Sequence, residues 1–429
     1  ALAAMAAAFY NHPALEMVMI GITGTNGKTT TTYLLEAVIK ESGGNPGVIG
    51  TINYRFNGQE FPASFTTPEP VLLQGLLQKM AAAGVTHVIM EASSHALAQK
   101  RLAGLEFDIA LFTNLTRDHL DFHGSMDAYY QAKKGLFRQL KGSGYAVVLV
   151  ESAGREDSSW GGRLLTELRP IRQNVSTNGS IISCGFDAAL DVSAGQISYG
   201  ISGTTAELDV MGQRLSLRSG LAGEFNLKNI IGAVGVAVAL HLDLERVKMG
   251  LLNGGQPPGR LERIGAAMAV DGQEGRPEVF VDYAHTPDAL ENVLRTLKNL
   301  GNARLLVVFG CGGDRDKGKR YLMGRLAGQL ADTIIITADN SRSESTALIM
   351  AEIERGVKSA GHGRYFSIVN RAQAIAKAIG LAGAGDVVLI AGKGHEDYQI
   401  SRAGRAAFSD RLEAEKQLGV EKQHGMPVD

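Results

Sequence analysis

Apolar and polar positions along this chain follow two alternating patterns. Short apolar runs rich in β-branched residues stop at glycine or at a polar cluster: "MVMIGI" (17–22), "THVIMEA" (86–92), "IALFTNL" (109–115) and "YAVVLV" (145–150). Runs of that length predict strands buried on both faces, as in a parallel sheet. Between them lie longer segments that read as helices, such as "TTTTYLLEAVIKESG" (29–43) and "PVLLQGLLQKMAAAG" (70–84). Strand, glycine-rich turn and helix in alternation predict an α/β fold.

The pattern changes twice more. Over about residues 151–220, "GSIISCGF", "QISYGISG", "TAELDVMG" and "QRLSLRSG" alternate with turn residues and predict a small antiparallel insert. "NLKNIIGAVGVAVALHL" returns to helix, and "LNGGQPPGRLERI" (252–264) is punctuated by Gly and Pro like a hinge. Beyond it, "EVFVDY", "RLLVVF", "DTIIIT" and "DVVLIA" predict a second parallel sheet. The expectation is two domains. Residues 1–257 form a central domain with a mostly parallel sheet plus the insert, and 258–429 form a Rossmann-like α/β domain. No internal repeat or low-complexity tract interrupts this reading.

Composition narrows the function classes. The net charge of −1 argues against nucleic acid or anionic membrane as partners. No stretch approaches the ~20 apolar residues of a membrane span. Cys184 and Cys311 lie far apart and give no metal or disulfide spacing, and no signal peptide is visible. A reduced cytoplasm is the expected setting.

Candidate chemistry concentrates where apolar runs end. After "MVMIGI" come Gly24, Thr25, Asn26, Gly27, Lys28, Thr29 and Thr30, and then a helix. Ile22 stands where the strict P-loop pattern requires glycine, but the physics survives. Gly24 and Gly27 let backbone N–H groups turn toward an anion, and the helix N-terminus adds its dipole. Lys28 can reach phosphates and Thr29 can hold Mg²⁺, so ATP and Mg²⁺ are the expected ligands of a P-loop-type ATPase domain. Glu91 ends a second strand on the same sheet and offers the ion another oxygen. Asp118, His119, Asp121 and His123 crowd the next polar segment, and His119 and His123 would share a face if it is helical. Lys133 and Lys134 follow. A buried neutral lysine would be chemically special, whereas two exposed ones would serve solubility, and spacing alone does not decide. In the C-terminal half, "DTIIIT" runs into Asp339, Asn340, Ser341 and Arg342, either a polar turn or a site for a small zwitterion.

In chain order, "GTNGKTTT", "TTPEP", "EASSHAL", "NLTRDHLDFHGSMDAYYQAKKGLF", "PGRLERI", "DYAHTPDAL", "GCGGDRDKGKR" and "AGKGHEDYQ" resemble the Mur ligases of peptidoglycan synthesis. "TTPEP", "SSHALAQKR" and "GDRDKGKR" make the chain look most like the members that add the third amino acid. The resemblance implies an ATP-dependent, ADP-forming ligase that phosphorylates a carboxylate of UDP-muramoyl dipeptide and lets an amine attack the acyl phosphate. It implies Lys28, Glu91, His119 and Lys133 as catalytic residues. Thr29, Glu91, His119 and Lys133 would serve Mg²⁺, with Lys133 carried as a carbamate. Asn226, Asn229, Arg260 and Asp282 would serve ATP. Thr66, Thr67, Ser93, Gln99 and Arg101 would contact the muramoyl dipeptide. Arg320, Asp339 to Arg342, Gly392 and Glu396 would hold the incoming amino acid. Without the family, each of Thr66–Thr67, Asn226, Asn229 and Arg260 also reads as an ordinary turn, helix or hinge residue.

The chain departs from the family in three places. It starts after the N-terminal domain that contacts uridine, so uridine recognition by these residues alone is not expected. Phe65 stands where many relatives have Asn. Ser341 replaces the proline of the Asp-Asn-Pro-Arg motif associated with diaminopimelate, which predicts a less rigid loop and an unchanged substrate. Diaminopimelate is expected over L-lysine, because an Arg342 fork left empty by lysine would lose hydrogen bonds. A monomer is expected. Two other readings compete: a non-catalytic nucleotide-binding paralogue, and a dinucleotide oxidoreductase suggested by "FGCGGD", which lacks the complete fingerprint.

Overall fold

The apolar runs become strands of two sheets in the computed structural model, which describes residues 1–150, 159–173, 180–265, 276–300, 303–361 and 363–419. The chain divides into two units, Ala1–Gln256 and Pro257–Asp429. In the first, the strands are β1 (Val18–Thr23), β2 (Pro46–Ile49), β3 (Asn53–Phe56), β4 (Gln59–Pro62), β5 (His87–Glu91), β6 (Phe107–Phe112), β7 (Leu140–Leu149), β8 (Ile181–Gly185), β9 (Val192–Gly200), β10 (Gly203–Val210) and β11 (Gln213–Ser219). They form one sheet in the order β11-β10-β9-β8-β7-β6-β1-β5-β2-β3-β4. The central strand β1 runs parallel to β5 and β6, pairing Ile22 with Glu91 and Thr23 with Phe112. Three strand ends therefore meet at one edge.

Of the four strands expected in an antiparallel insert between 151 and 220, β9 to β11 are antiparallel to one another, but β8, from "GSIISCGF", pairs parallel with both β7 and β9, and all four extend this sheet instead of standing apart from it. The helix Trp160–Gln173 precedes them and was not foreseen, because its apolar positions are few and Pro170 lies inside it. Residues 151–158, which include all of the "ESAGRED" stretch that follows "YAVVLV", and 174–179 lie outside the described residues.

The helix Lys28–Glu41 shows how packing overrides propensity. Thr29 to Thr32 are poor helix formers, yet all four are buried. Two of them bond back to the backbone: Thr31 Oγ1 donates to Gly27 O at 2.9 Å and Thr32 Oγ1 to Thr29 O at 2.8 Å. Leu34, Leu35, Val38 and Ile39 then join Ile20, Ile22, Ile89, Leu111 and Val147 of the sheet in one core. Each such side chain contributes about 1.5–3 kcal/mol by leaving water.

The second unit holds β12 (Glu262–Ile264), β13 (Glu278–Asp282), β14 (Leu305–Phe309), β15 (Thr333–Ile336), β16 (Tyr365–Ser367) and β17 (Val387–Ala391), in the order β12-β13-β17-β14-β15-β16. All pairs are parallel except β12 with β13. A two-stranded ribbon, Tyr398–Ser401 with Gly404–Ala407, follows β17. The helix Pro287–Asn299 has proline in its first turn and Thr286 accepting from Ala289 N as its cap, and it buries Leu290, Val293, Leu294 and Leu297 along one face. Among the described residues, no helix is long and apolar enough to cross a membrane.

A buried ion pair fastens the strand ends of this unit. Arg371 and Asp410 are both 0% exposed and meet in a two-pronged contact, Nε to Oδ1 and Nη2 to Oδ2, each 2.7 Å. The guanidinium also donates to Ala338 O and Ala391 O, the carbonyls that lead into Asp339 and Gly392. Removing one partner strands a buried charge. Arg371→Met is expected to destabilise the protein by about 3–5 kcal/mol in urea unfolding, and the double variant Arg371→Met, Asp410→Leu to recover most of that loss.

Candidate active site

Between β1 and the helix Lys28–Glu41 the backbone turns on two glycines. Gly24 has φ +152° and Gly27 φ +88°. A Cβ on Gly24 would stand 1.9 Å from Thr113 Oγ1, and one on Gly27 would stand 2.1 Å from Asn229 Oδ1. Only glycine fits either place. No side chain caps the helix N-terminus that follows. The loop is held from β6: Asn26 N donates to Asn114 Oδ1 at 2.8 Å, Thr113 Oγ1 to Asn26 O at 2.6 Å, and Thr25 N to Asn114 O at 3.0 Å. A glycine-lined turn before an uncapped helix N-terminus fits a phosphate group. Asn226 and Asn229 are buried in the helix Glu224–Ala239, and Asn229 abuts the loop at Gly27.

Glu91 is buried at the tip of β5 and faces this loop. Its Oε2 accepts from Thr29 Oγ1 at 3.1 Å and from Thr51 Oγ1 at 2.9 Å, and its Oε1 accepts from Thr51 N at 2.9 Å. The Thr29 hydroxyl and the Glu91 carboxylate thus form an all-oxygen pair suited to a hard cation. Thr67 Oγ1 donates to Glu91 O at 2.7 Å and accepts from Ser93 N at 3.0 Å. Arg101 donates to Thr67 O at 3.0 Å and to Gln99 Oε1, and pairs with Glu69 at 2.9 Å. Thr66 meets Thr51 at 3.1 Å. Thr66, Thr67, Ser93, Gln99 and Arg101 are therefore one connected neighbourhood beside Glu91. Phe65 lies half exposed under the Arg101 guanidinium, 5.0 Å from ring to Cζ.

Lys133 and Lys134 part ways. Lys134 pairs with Glu167, whereas Lys133 is 1% exposed and donates Nζ to Gly24 O at 2.7 Å. Lys28 Nζ donates to the same Gly24 oxygen at 2.8 Å. Burial, reinforced by the Lys28 charge, pushes Lys133 well below the usual lysine range. The Tyr129 ring lies 4.4 Å from its nitrogen.

The expected helical face for His119 and His123 is only partly realised. His119 caps the short helix Leu120–His123 in the left-handed conformation, φ +52°. Both imidazoles pack on His95, at ring separations of 4.7 and 5.6 Å. Although nearly half exposed, His119 is held below its usual value by desolvation, with Asp118 opposing and Lys28 and Lys133 assisting. Among the described residues, no three His, Cys, Asp or Glu side chains converge as a metal site.

In the second unit, Asp282 ends β13. Its carboxylate accepts from Leu261 N at 2.6 Å and Ala284 N at 2.7 Å, which pins the segment bearing Arg260. Burial raises its carboxyl above the usual aspartate range, against the pull of Arg260. Arg260 lies over the Tyr283 ring at 4.8 Å. Arg320 is buried and engaged with Glu344, Glu352 and Gly312 O. Glu344 also accepts from Asp314 N, so Arg320 braces the turn after β14.

The tip of β15 is built from this turn and the loop after β17. Arg342 is in the left-handed region, φ +50°, a conformation that costs a non-glycine residue roughly 1 kcal/mol or more. Its Nη1 donates to Gly313 O at 2.8 Å and Asn340 O at 3.3 Å. Among the described residues, Nε and Nη2 have no protein acceptor. Asn340 Nδ2 donates to Glu396 Oε2 at 2.8 Å, and Asn340 Oδ1 accepts from Ile400 N at 2.8 Å. A Cβ on Gly392 would lie 3.0 Å from Asp339 Oδ2. Burial would raise the Asp339 carboxyl, but Arg371 and Lys393 hold it below the usual range. Ser341 lines a cavity of about 320 Å³ together with Asn370, Arg371, Gln399 and Ser401, apart from Arg342 and Glu396.

Residues 22–237 match the Mur ligase middle domain, and residues 259–394 match the Mur ligase glutamate ligase domain. The chain belongs to the Mur ligase family. Among its relatives, this Mur ligase is 41% identical over 427 residues to UDP-N-acetylmuramoyl-L-alanyl-D-glutamate--2,6-diaminopimelate ligase of Geobacter metallireducens, covering 96% of this chain and 80% of that protein. The same-named ligase of Geobacter sulfurreducens is 42% identical over 429 residues, at 96% and 81% coverage. A solved structure of a ligase of that name superposes with TM-score 0.66 at 35% identity, over 94% of this chain and 78% of that one. The folylpolyglutamate synthase of Mycobacterium tuberculosis, solved with ADP and AMPPCP, shares the fold, with TM-score 0.71 at 19% identity over 91% and 92% of the two chains.

Four residues of these sites escaped the sequence reading: Thr51, Thr113 and Asn114 around the glycine loop, and Lys393 at the strand tip. Thr113 and Asn114 lie inside the run 109–115 that predicts a strand, but β6 ends at Phe112 and leaves them at its tip, while Thr51 lies in no motif. The glycine loop is testable. Gly24→Ala is expected to lower ATP turnover more than about tenfold, whereas Gly104→Ala, also at positive φ but with nothing within 4 Å, leaves it near wild type.

Proposed function

We propose that this Mur ligase adds meso-2,6-diaminopimelate to UDP-N-acetylmuramoyl-L-alanyl-D-glutamate, with ATP converted to ADP through an acyl phosphate. The observation that carries the choice of amino acid is the Arg342 guanidinium, anchored through Nη1 to Gly313 O and Asn340 O with Nε and Nη2 open among the described residues. Two parallel N–H groups are the geometry for a carboxylate, and diaminopimelate has a distal carboxylate that lysine lacks. Asp339 and Glu396 then take the ammonium next to it. The anchoring contacts of Arg342 run to backbone carbonyls, so Ser341 in place of proline leaves the fork in position.

In the first unit, Gly24 to Thr30 would cradle the ATP phosphates, with Lys28 at the β- and γ-phosphates. Thr29 and Glu91 would hold Mg²⁺, which supplies positive charge to the transferring phosphoryl group. His119 stands near the same charges as a further ligand candidate. Thr66, Thr67, Ser93, Gln99 and Arg101 would hold the muramoyl dipeptide so that its free carboxylate meets the γ-phosphate. Asn226 and Asn229 would serve the rest of the nucleotide in this unit; in the second unit Arg260 and Asp282 are the ATP-binding candidates, with Asp282 acting through the segment it pins. Arg320 would act by bracing the strand tip.

Lys133 would act as a carbamate. The Lys133 ammonium first gives up a proton; the neutral Nζ then forms an N–C bond to CO₂ and loses a second proton, so that a cation facing Lys28 becomes an anion that attracts it. That change removes the repulsion at Gly24 O and provides an anionic oxygen for metal.

Arg342→Ala is expected to raise the diaminopimelate KM about tenfold or more while the ATP KM stays within about twofold, as for loss of a charged hydrogen-bond pair. Equal changes in both constants would remove the strand tip from amino-acid recognition. Protein equilibrated with ¹³C-bicarbonate is expected to show a carbamate resonance that Lys133→Arg abolishes. The signal should weaken as pH falls, because protonation of Lys133 removes the lone pair that CO₂ needs.

A further inference from the structure

Lys393 has no role in the chemistry above, yet it is the most enclosed charge at the strand tip. It lies on the loop after β17 with its side chain 0% exposed. Its Nζ donates to Glu396 Oε2 at 3.0 Å and to Asn340 Oδ1 at 3.3 Å, and lies 3.7 Å from Asp339 Oδ1. The Tyr398 ring closes the shell at 5.4 Å. An ammonium held away from water costs several kcal/mol unless partners of opposite charge surround it. Here the partners are the side chains that face the amino acid.

We propose that Lys393 is the positioning residue of the amino-acid site: it orients Asn340 and Glu396 and leaves the Asp339, Glu396 and Lys393 trio one net negative charge, matched to a single ligand ammonium, with the Arg342 charge reserved for the ligand carboxylate. The proposal rests on the amino-acid reading of this tip.

Two observations carry it. The first is orientation. An amide has one accepting end and one donating end. Lys393 Nζ and Ile400 N both donate to Asn340 Oδ1, so Asn340 Nδ2 is committed to Glu396 Oε2. Glu396 Oε2 receives both Lys393 and Asn340, and Oε1 has no protein donor among the described residues. Lys393 thereby fixes which carboxylate oxygen is offered to the ligand. The second is charge. Asp339 and Glu396 bring two negative charges and Lys393 cancels one, while Arg371 near Asp339 is matched by Asp410. A diamino acid brings two amines, but the one that attacks must be neutral. One ammonium then remains for one net negative charge.

The test is Lys393→Met, which keeps length and removes charge, assayed for amino-acid and ATP constants across pH. Asp339, Glu396 and Tyr398 face Lys393, and Arg371 and His285 flank Asp339. Without the ammonium, Asp339 gains a proton more readily. The acid limb of kcat/KM for diaminopimelate is therefore expected to move up by about one pH unit, with its KM raised about tenfold at neutral pH. The ATP profile should not move. An unshifted acid limb, or equal change in the ATP constant, overturns the proposal. If Lys393→Met does not fold, Glu396→Gln reads the same balance: it leaves Lys393 facing Asp339 alone, and an unchanged diaminopimelate KM overturns the proposal. Arg342→Ala separates the two ideas. If it raises the diaminopimelate KM while Lys393→Met changes nothing, the amino-acid reading stands and the Lys393 role falls. If neither moves it, the reading of the tip itself has failed.

Discussion

A parallel strand buried on both faces can place a functional side chain only at its ends, and this constraint organises both units. In β1, β5 and β6 the interior positions are almost all apolar and enclosed, so polar chemistry begins at Thr23–Gly24, Glu91 and Thr113–Asn114. In the second sheet it begins at Asp282 after β13, Gly310 after β14, Thr337 to Arg342 after β15 and Gly392 to Glu396 after β17. Parallel pairing puts all these ends on the same edge of their own sheet. Residues far apart in sequence, such as Thr29 and Glu91 or Asn340 and Glu396, therefore meet without any long-range motif.

Within that frame, each unit manages one awkward cation. In the first, Lys28 and Lys133 share the Gly24 carbonyl, and the buried lysine is driven toward its neutral, reactive form. In the second, Lys393 is surrounded by Asp339, Asn340 and Glu396. The same residue type serves opposite purposes because its neighbours carry opposite charge.

Much of the fold was legible. The apolar runs at 17–22, 86–92, 109–115 and 332–337 each became a strand, and the glycine loop stood where strand met helix. The short strands β2 to β4 were not legible, because their residues carry neither alternation nor length; β2 forms against β5, β3 against β2 and β4 against β3. At the sites, residues picked from the sequence fall into connected groups at the strand ends, but the contacts each of them makes were not legible. Glu91 and Lys133 could be picked from position and family resemblance. That Arg320 braces a turn, that Asp282 pins backbone amides and that Lys393 is enclosed depend on contacts across 8 to 53 residues of chain, which no local pattern encodes.

The proposed role of the Arg342 tip is to select a diamino acid with a distal carboxylate for an ATP-driven ligation. The most direct measurement offers UDP-N-acetylmuramoyl-L-alanyl-D-glutamate and ATP–Mg²⁺ to the protein with meso-diaminopimelate or L-lysine at equal concentration, and weighs the product by mass spectrometry. The expected result is the diaminopimelate tripeptide with stoichiometric ADP, and lysine product lower by about a hundredfold or more. Equal or greater incorporation of lysine, with the dipeptide bound and ATP consumed, would contradict it.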